Sequence, residues 1–487
     1  MTQPRPLSDL GLTAQGGADP VIGGLSVDSR VIPRRGLFAA LPGSRAHGAD
    51  FAADALANGA VAILTDAAGA LRLPPGHGAA LVIAENPRET LARAAALWFG
   101  AGPACTVAVT GTNGKTSVAT FTRQLWQALG HAAINIGTTG VEGDWSAPSA
   151  HTTPDPIALH RMLAQAAGAQ VTHAAMEASS HGIDQYRLDG VDLAAAAFTN
   201  LTQDHLDYHG TMEAYGAAKS ALFTRLLPPG RPAVLNIDDP FVAGLARRLP
   251  DHPTLTLGQS PEAHIRITAQ RFDATGQDLR FQWGDRSHQI RLALIGGFQA
   301  QNALTAAALV AATGTPPGDV IAALPGLTGV RGRMQHVATR ANGATVFVDY
   351  AHTPDAIATA LTALRPHVMG RIVIVFGAGG DRDRTKRPLM GAAAAAHADV
   401  AYLTDDNPRT EDPATIRAAI RAACPEAIEV PDRAEAILRA VDALGPGDAA
   451  LIAGKGHETG QILGHDILPF DDAEQASIAV AVLDRRP

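Results

Sequence analysis

Lysine occurs at only four positions, 115, 219, 386 and 455, and the other 35 of the 39 basic residues are arginine. Arginine serves wherever a generic positive charge suffices; a lysine keeps a compact ammonium and the option of a neutral amine. Lys115 stands in TVAVTGTNGKTSVATF (106–121), where an apolar run meets a Gly-rich turn and then a helical pattern. Strand, turn and helix in that order build a nest of backbone N–H groups that holds phosphate. Lys115 would reach the β- and γ-phosphates and the Thr116 hydroxyl would ligate Mg²⁺. The spacing departs from the strict G-x-x-x-x-G-K-[ST] form, because position 109 is Val and the turn opens at Gly111. A plain Gly turn with an exposed lysine is the competing reading, and the flanking strand and amphipathic helix favour the nucleotide.

Acids and imidazoles follow at further strand ends. Glu177 closes the run THAAM in MEASSHG, and Asp204, His205, Asp207 and His209 follow AAAAFTN in NLTQDHLDYHG. In a parallel sheet both groups reach the same edge as the Gly-rich turn. A hard cation suits that edge, with Glu177 as an oxygen ligand; His is an atypical Mg²⁺ ligand, so His205 alone reads more readily as a structural hydrogen bonder. Lys219 lies in MEAYGAAKSALF, an Ala-rich helical pattern. A neutral amine there could add CO₂ and become a carbamate, an anionic oxygen ligand that arginine cannot form. A solvated helical lysine is the alternative, and spacing leaves both open. Later, VDYAHTPD (348–355), GAGGDRDRTKRP (377–388), TDDNPRT (404–410) and GKGHETG (454–460) each follow an apolar run. Four charged loops at strand ends exceed what a solvated surface requires and suggest one side of a ligand cleft.

The elements that must position these residues follow from length and pattern. At about 150 residues per domain, 487 residues imply about three domains. Hydrophobic residues make up 46% and charged ones 18%, which supports large cores and excludes disorder. Short strands and helices fill 21–100, and Gly and Pro punctuate a first boundary near 101. Apolar runs then alternate with helical stretches to about 328, the pattern of a parallel, helix-covered sheet. Around 264–295 the strands alternate more, predicting an antiparallel patch at the sheet edge. A third α/β domain runs from 329 to 487. Aromatics at 5% and a net charge of −8 argue against a nucleic-acid binder. No stretch approaches ~18 apolar residues and the N-terminus has no signal-peptide run, so a soluble cytoplasmic protein without membrane partners is expected. Two cysteines, Cys105 and Cys424, exclude a disulfide framework and a cysteine zinc site.

In their order, TGTNGKTS, MEASSHG, TNLTQDHLDYHG, YGAAKSALF, VDYAHTPD, GGDRD, DNPR and GKGHE resemble the Mur ligases. The resemblance runs from VDSR near the start to GKGHE near the end, and DNPR with GKGHE is similar to the branch that makes the tripeptide. It implies a UDP-sugar-binding domain over 1–100, a central P-loop ATPase over 101–328 and a Rossmann-like amino-acid domain over 329–487. It implies ATP-dependent addition of meso-2,6-diaminopimelate to UDP-N-acetylmuramoyl-L-alanyl-D-glutamate by way of an acyl phosphate, in a monomer using ATP and Mg²⁺. Matching motifs, Val27, Ser29, Ser44, Arg45 and Ala46 would meet the uridine end, and Thr152, Thr153, Ser179, Gln185 and Arg187 the rest of that substrate. Gly111, Thr112, Asn113, Gly114, Lys115, Thr116 and Ser117 would cradle ATP, with Asn302 near the adenine and Arg333 and Asp349 completing the nucleotide site. Glu177, His205, Thr116 and Lys219 as a carbamate would organise Mg²⁺. Arg382, Asp406, Asn407, Pro408, Arg409, Gly454 and Glu458 would bind diaminopimelate.

Three positions depart from the family pattern: Ser117 replaces a second Thr, Gln299 stands where Asn is common, and His151 where Asn often precedes the two threonines. The rivals are a sister ligase using lysine or folate, against which DNPR argues, and a P-loop switch. A switch predicts ATP turnover without any added amino acid.

Overall fold

The computed structural model describes residues 3–43, 45–149 and 151–485. Two compact units divide the chain, Met1–Ala263 with Thr305–Ile321, and His264–Leu304 with Ala322–Pro487. The α/β class expected from the alternating pattern is the one adopted.

The first unit carries two sheets. Strands β1 (Leu25–Ser26), β2 (Leu37–Ala39), β3 (Ala62–Thr65) and β4 (Ala80–Ile83) pair in that order, all parallel. Helix Pro87–Phe99 starts at Asn86, whose side chain accepts from the Glu89 N–H, with Pro87 in the first turn where its missing donor is harmless. Its Leu91, Ala94, Ala95 and Trp98 recur at helical spacing and join the core of this sheet. The second sheet contains β5 (Cys105–Thr110), β6 (Ala133–Gly137), β7 (Gly140–Gly143), β8 (His173–Glu177), β9 (Ala195–Phe198), β10 (Ala233–Asn236) and β11 (Thr254–Gly258), in the order β11-β10-β9-β5-β8-β6-β7. Only the β6–β7 hairpin is antiparallel. β5 lies between β8 and β9, with Val109 opposite Glu177 and Thr110 opposite Phe198, so the loops after all three strands leave from one edge. Near-continuous apolar strands such as CTVAVT and AAAF are what a sheet buried on both faces requires.

The second unit carries an antiparallel meander, β12 (Ile265–Asp273), β13 (Gly276–Trp283) and β14 (Arg286–Leu292). The period-two pattern around 264–295 predicted this arrangement. Its larger sheet contains β15 (Gln335–Thr339), β16 (Thr345–Asp349), β17 (Ile372–Phe376), β18 (Val400–Leu403), β19 (Ile428–Glu429) and β20 (Ala449–Ala453), in the order β15-β16-β20-β17-β18-β19. β16, β20, β17 and β18 are parallel, so their carboxyl ends share an edge. A ribbon of β21 (Gly460–Leu463) and β22 (Asp466–Pro469) follows. Cores cover both faces of the larger sheet. Among the described residues no helix is long and apolar enough to cross a membrane.

Candidate active site

In the first unit the turn after β5 is a worked piece of backbone. Gly111 has a φ of +146°, and a Cβ there would overlap the Thr199 hydroxyl, so glycine is required on both counts. Gly114, at φ +91°, caps helix Lys115–Ala128. The loop after β9 braces the turn. Thr199 Oγ1 donates to Asn113 O at 2.6 Å, Asn113 N donates to Asn200 Oδ1 at 2.9 Å, and Thr112 Oγ1 donates to Thr202 O at 3.0 Å. Thr116 and Ser117 are buried in the first helical turn. Lys115 Nζ donates to Gly111 O and Thr112 O, both at 2.9 Å.

Lys219 meets the same turn from the helix Met212–Ala221. It is 1% exposed, and its Nζ donates to Gly111 O at 2.7 Å and sits 4.6 Å from the centre of the Tyr215 ring. Burial pushes this ammonium well below the ordinary lysine range, and the nearby Lys115 charge pushes it the same way against a weaker pull from Asp204. The shift is toward the neutral amine, the form that adds CO₂. Tyr215 Oη shares a hydrogen bond with Thr112 Oγ1 at 3.2 Å, and burial pushes its phenol up to about 12. His205 has a φ of +52° and lies 3.5 Å from Asp204 Oδ2. Burial lowers its imidazole; Asp204 opposes this, while Lys115 and Lys219 add to it.

Glu177, buried at the end of β8, bonds elsewhere. Its Oε1 accepts from Thr138 N at 2.8 Å and its Oε2 from Thr138 Oγ1 at 3.3 Å, and that hydroxyl also bonds Thr152 Oγ1 at 3.0 Å. The network continues through Thr153 Oγ1, which donates to Glu177 O at 2.9 Å and accepts from Ser179 N at 3.0 Å. Arg187 closes it, donating to Thr153 O and to Gln185 Oε1, both at 2.8 Å. Thr152, Thr153, Ser179, Gln185 and Arg187 are thus gathered with Glu177, although they come from two separate loops. Val27 and Ser29 follow β1, and Arg45 and Ala46 follow β2, at one end of the N-terminal sheet because those strands are parallel. Ser44 lies outside the described residues.

Among the described residues no three His, Cys, Asp or Glu side chains gather as a metal cage. Mg²⁺ on a nucleotide needs only one or two protein oxygens, since phosphates and water supply the rest. The Thr116 hydroxyl and the Glu177 carboxylate are oxygens of that class, so these residues fit the ion.

In the second unit the four charged loops come together as the parallel strands require. Asp349 Oδ2 accepts from Met334 N at 2.6 Å and its Oδ1 from Ala351 N at 2.9 Å; burial raises its carboxyl and the Arg333 guanidinium opposes that. Arg333 Cζ stacks 4.6 Å over the Tyr350 ring. Arg409 has a φ of +51°, and its Nη1 donates to Gly380 O at 2.8 Å. Arg382 flanks Gly379 together with Arg409. Asp406 and Asn407 are buried, and Asn407 Nδ2 donates to Glu458 Oε2 at 2.9 Å. Gly454, at φ +119°, lets Asp406 approach, since a Cβ there would overlap its carboxylate. Asn302 is buried in helix Phe298–Ala312, where its Nδ2 donates to Gln299 Oε1 at 3.0 Å; the departure at 299 thus supplies its acceptor.

Several residues that organise these loops were not singled out by sequence reasoning. Thr138 carried no signal. Tyr215 stands four residues before Lys219 on one helix, a spacing that places the two side chains together. The wholly buried pair of Arg433 with Asp472 holds Ala453 O at the end of β20; its partners are 39 positions apart, so no local pattern exposes it.

Residues 21–99, 109–310 and 332–456 match families described as Mur ligase family, catalytic domain; Mur ligase middle domain; and Mur ligase, glutamate ligase domain. The chain is 50% identical over 464 residues to the UDP-N-acetylmuramoyl-L-alanyl-D-glutamate–2,6-diaminopimelate ligase of Bradyrhizobium diazoefficiens, covering 94% of each chain. It is 48% identical over 475 residues to the ligase of the same name from Caulobacter vibrioides, covering 96% of this chain and 97% of the relative. A solved structure of a protein of that name is 33% identical, with a TM-score of 0.71 and 99% of each chain covered. Likeness of this depth over nearly the whole length means that the chain belongs to the Mur ligase family.

Proposed function

We propose that this chain is the ATP-dependent ligase that adds meso-2,6-diaminopimelate to UDP-N-acetylmuramoyl-L-alanyl-D-glutamate, acting as a monomer in the cytoplasm in peptidoglycan precursor synthesis. The observation that carries the reading is the D-N-P-R turn beside the GKGHE loop at one sheet edge, in a chain about half identical to proteins named for that reaction. We assign residues 1–100 to the UDP-sugar, 101–328 to ATP and 329–487 to the amino acid.

The backbone N–H groups of 111–117 and the helix N-terminus receive the phosphates, and Lys115 neutralises charge on the transferring group. Mg²⁺, when bound through Thr116 and Glu177, supplies further neutralisation. The D-glutamate carboxylate attacks the γ-phosphorus, the bond to the β,γ-bridging oxygen breaks and ADP leaves, giving an acyl phosphate. The diaminopimelate amine then attacks the acyl carbon, and the tetrahedral intermediate expels phosphate. Thr152, Thr153, Ser179, Gln185 and Arg187 hold the peptide end of the nucleotide-sugar; Val27, Ser29, Ser44, Arg45 and Ala46 hold its uridine. Asn302, Arg333 and Asp349 serve ATP. Arg382, Arg409, Asp406, Asn407, Gly454 and Glu458 take the amino acid. Lys219 carries a carbamate, with His205 beside it; the buried amine, whose one hydrogen bond is to Gly111 O, supports this.

The test is phosphate release by purified protein given ATP and the nucleotide-sugar dipeptide, with meso-diaminopimelate, L-lysine or no amino acid. Release should depend strictly on diaminopimelate. Turnover without an amino acid would support the switch instead, and equal turnover with lysine a sister ligase.

A further inference from the structure

Lys455 is the last of the four lysines, it sits inside the GKGHE loop, and no role above uses it. Its side chain is wholly buried. Nζ donates to Asn407 Oδ1 at 2.8 Å and to Gly460 O at 2.7 Å, and stands 3.7 Å from Glu458 Oε2. A compact ammonium thus donates to two converging acceptors with a carboxylate close by, a wholly buried arrangement that the larger planar guanidinium does not fit. In a chain that uses arginine at 35 of 39 basic positions, the retained lysine matches that requirement.

The consequence falls on Asn407. An amide side chain has one acceptor end and one donor end, and its neighbours decide which way it faces. Here Oδ1 accepts from Lys455 Nζ and also from Ile462 N at 3.0 Å. With both donors on one side, Nδ2 must face Glu458, whose Oε2 accepts at 2.9 Å. Glu458 Oε2 is pinned by Asn407, while the side chain stays 35% exposed, so the carboxylate is held by one oxygen and remains accessible. Lys455 and Glu458 are three residues apart, whereas Asn407 comes from the loop after β18, separated from β20 by β17; the ammonium ties the two loops together.

We propose that Lys455 is a positioning residue: by fixing the Asn407 amide it orients Glu458 to receive the ammonium of the incoming amino acid. This rests on the ligase reading above. Lys455 does not touch the substrate; it acts through Asn407 and Glu458. Its loss should therefore weaken amino-acid use selectively and leave the two nucleotide substrates alone.

The experiment measures KM for meso-diaminopimelate, ATP and nucleotide-sugar dipeptide separately, with kcat, in Lys455→Met, Lys455→Arg, Asn407→Asp, Glu458→Gln and the Lys455→Met/Glu458→Gln double variant. Lys455→Met should raise KM for diaminopimelate about 10–100-fold, the scale of one hydrogen bond to a charged group. The other two KM values should stay within about twofold of wild type, within the scatter of a change that touches neither ligand. Lys455→Arg should not rescue. Asn407→Asp keeps an acceptor for Lys455 but loses the donor to Glu458, so it should show the same selective rise even if Lys455→Met does not fold. In the Glu458→Gln background, Lys455→Met should add little, because groups acting as a unit are not additive. Uniform loss across all three substrates, full additivity in the double variant, or a wild-type KM in Asn407→Asp would overturn the proposal. A wild type that ignores diaminopimelate would instead overturn the ligase reading.

Discussion

Replacing Lys219 by Met should make the protein more stable and inactive at once. The Lys219 ammonium is 1% exposed, has no carboxylate within bonding distance and faces the like charge of Lys115. Its one hydrogen bond, to Gly111 O, returns only part of the desolvation penalty. Exchanging a buried charge for an apolar side chain of similar volume commonly stabilises by about 1–4 kcal/mol. The unit that holds Lys219, Met1–Ala263 with Thr305–Ile321, is larger than the ~150–250 residues for which ~2–4 °C per kcal/mol holds, so the low end applies and Tm should rise by about 2 °C or more. The pH dependence has a fixed direction. The folded-state pKa of Lys219 lies well below 10.5, so the unfolded chain binds more protons between that value and the ordinary lysine pKa. Wild-type stability therefore rises with pH through this window, and is lost as pH falls through the folded pKa. The advantage of Lys219→Met should be largest at low pH and shrink toward pH ~10, near the lysine reference value. The assay is a thermal melt of both proteins in CO₂-depleted buffer across this range. Added bicarbonate should then raise Tm of wild type only, because carbamylation acts as a ligand of the folded state. A gap that does not change with pH, or a variant less stable throughout, would refute the reasoning about burial; an active Lys219→Arg enzyme would sink the carbamate.

Arg409→Ala should lose most kcat/KM with meso-diaminopimelate and narrow its preference over L-lysine. Lysine lacks the distal carboxylate, and losing a charged hydrogen-bond partner on this half-buried guanidinium costs about 1.5–3 kcal/mol, or ~10–100-fold in specificity; an unchanged ratio would remove Arg409 as the selector. Lys115→Ala should abolish acyl-phosphate formation yet keep nucleotide-sugar binding by calorimetry, and equal loss of that binding would show the domain assignment to be wrong. Gly111→Ala should lower both Tm and ATP affinity, since it strains a φ of +146° and drives a methyl into the Thr199 hydroxyl; wild-type ATP binding in that variant would show that the turn relaxes without consequence.

The strand, turn and helix around Lys115 were legible because their determinants lie within some twenty residues: an apolar run, glycines where φ is positive, and helical spacing of Val118, Phe121, Leu125 and Trp126. The four charged loops of the C-terminal part were legible for a related reason, since each follows an apolar run and parallel pairing delivers all four to one edge. What each side chain does there was not, because the partners come from distant positions. Lys219 and Gly111 are 108 residues apart; that they meet decides whether the lysine is a solvated cation or a buried amine, and no helical pattern around 219 carries that information. Glu177 read as a strand-end oxygen ligand for a hard cation, and only folding revealed that it shares one hydrogen-bond network with Thr138, Thr152 and Thr153. Arg409 adopts a left-handed backbone that a non-glycine residue avoids unless its surroundings impose it; the bond of its N–H to Ile462 O in β21 and of its guanidinium to Gly380 O in the loop after β17 impose it. Lys455 was conspicuous only by its scarcity. Local pattern settles where a residue stands along its own element, while burial and the charge state that burial selects depend on which distant loops share its sheet edge.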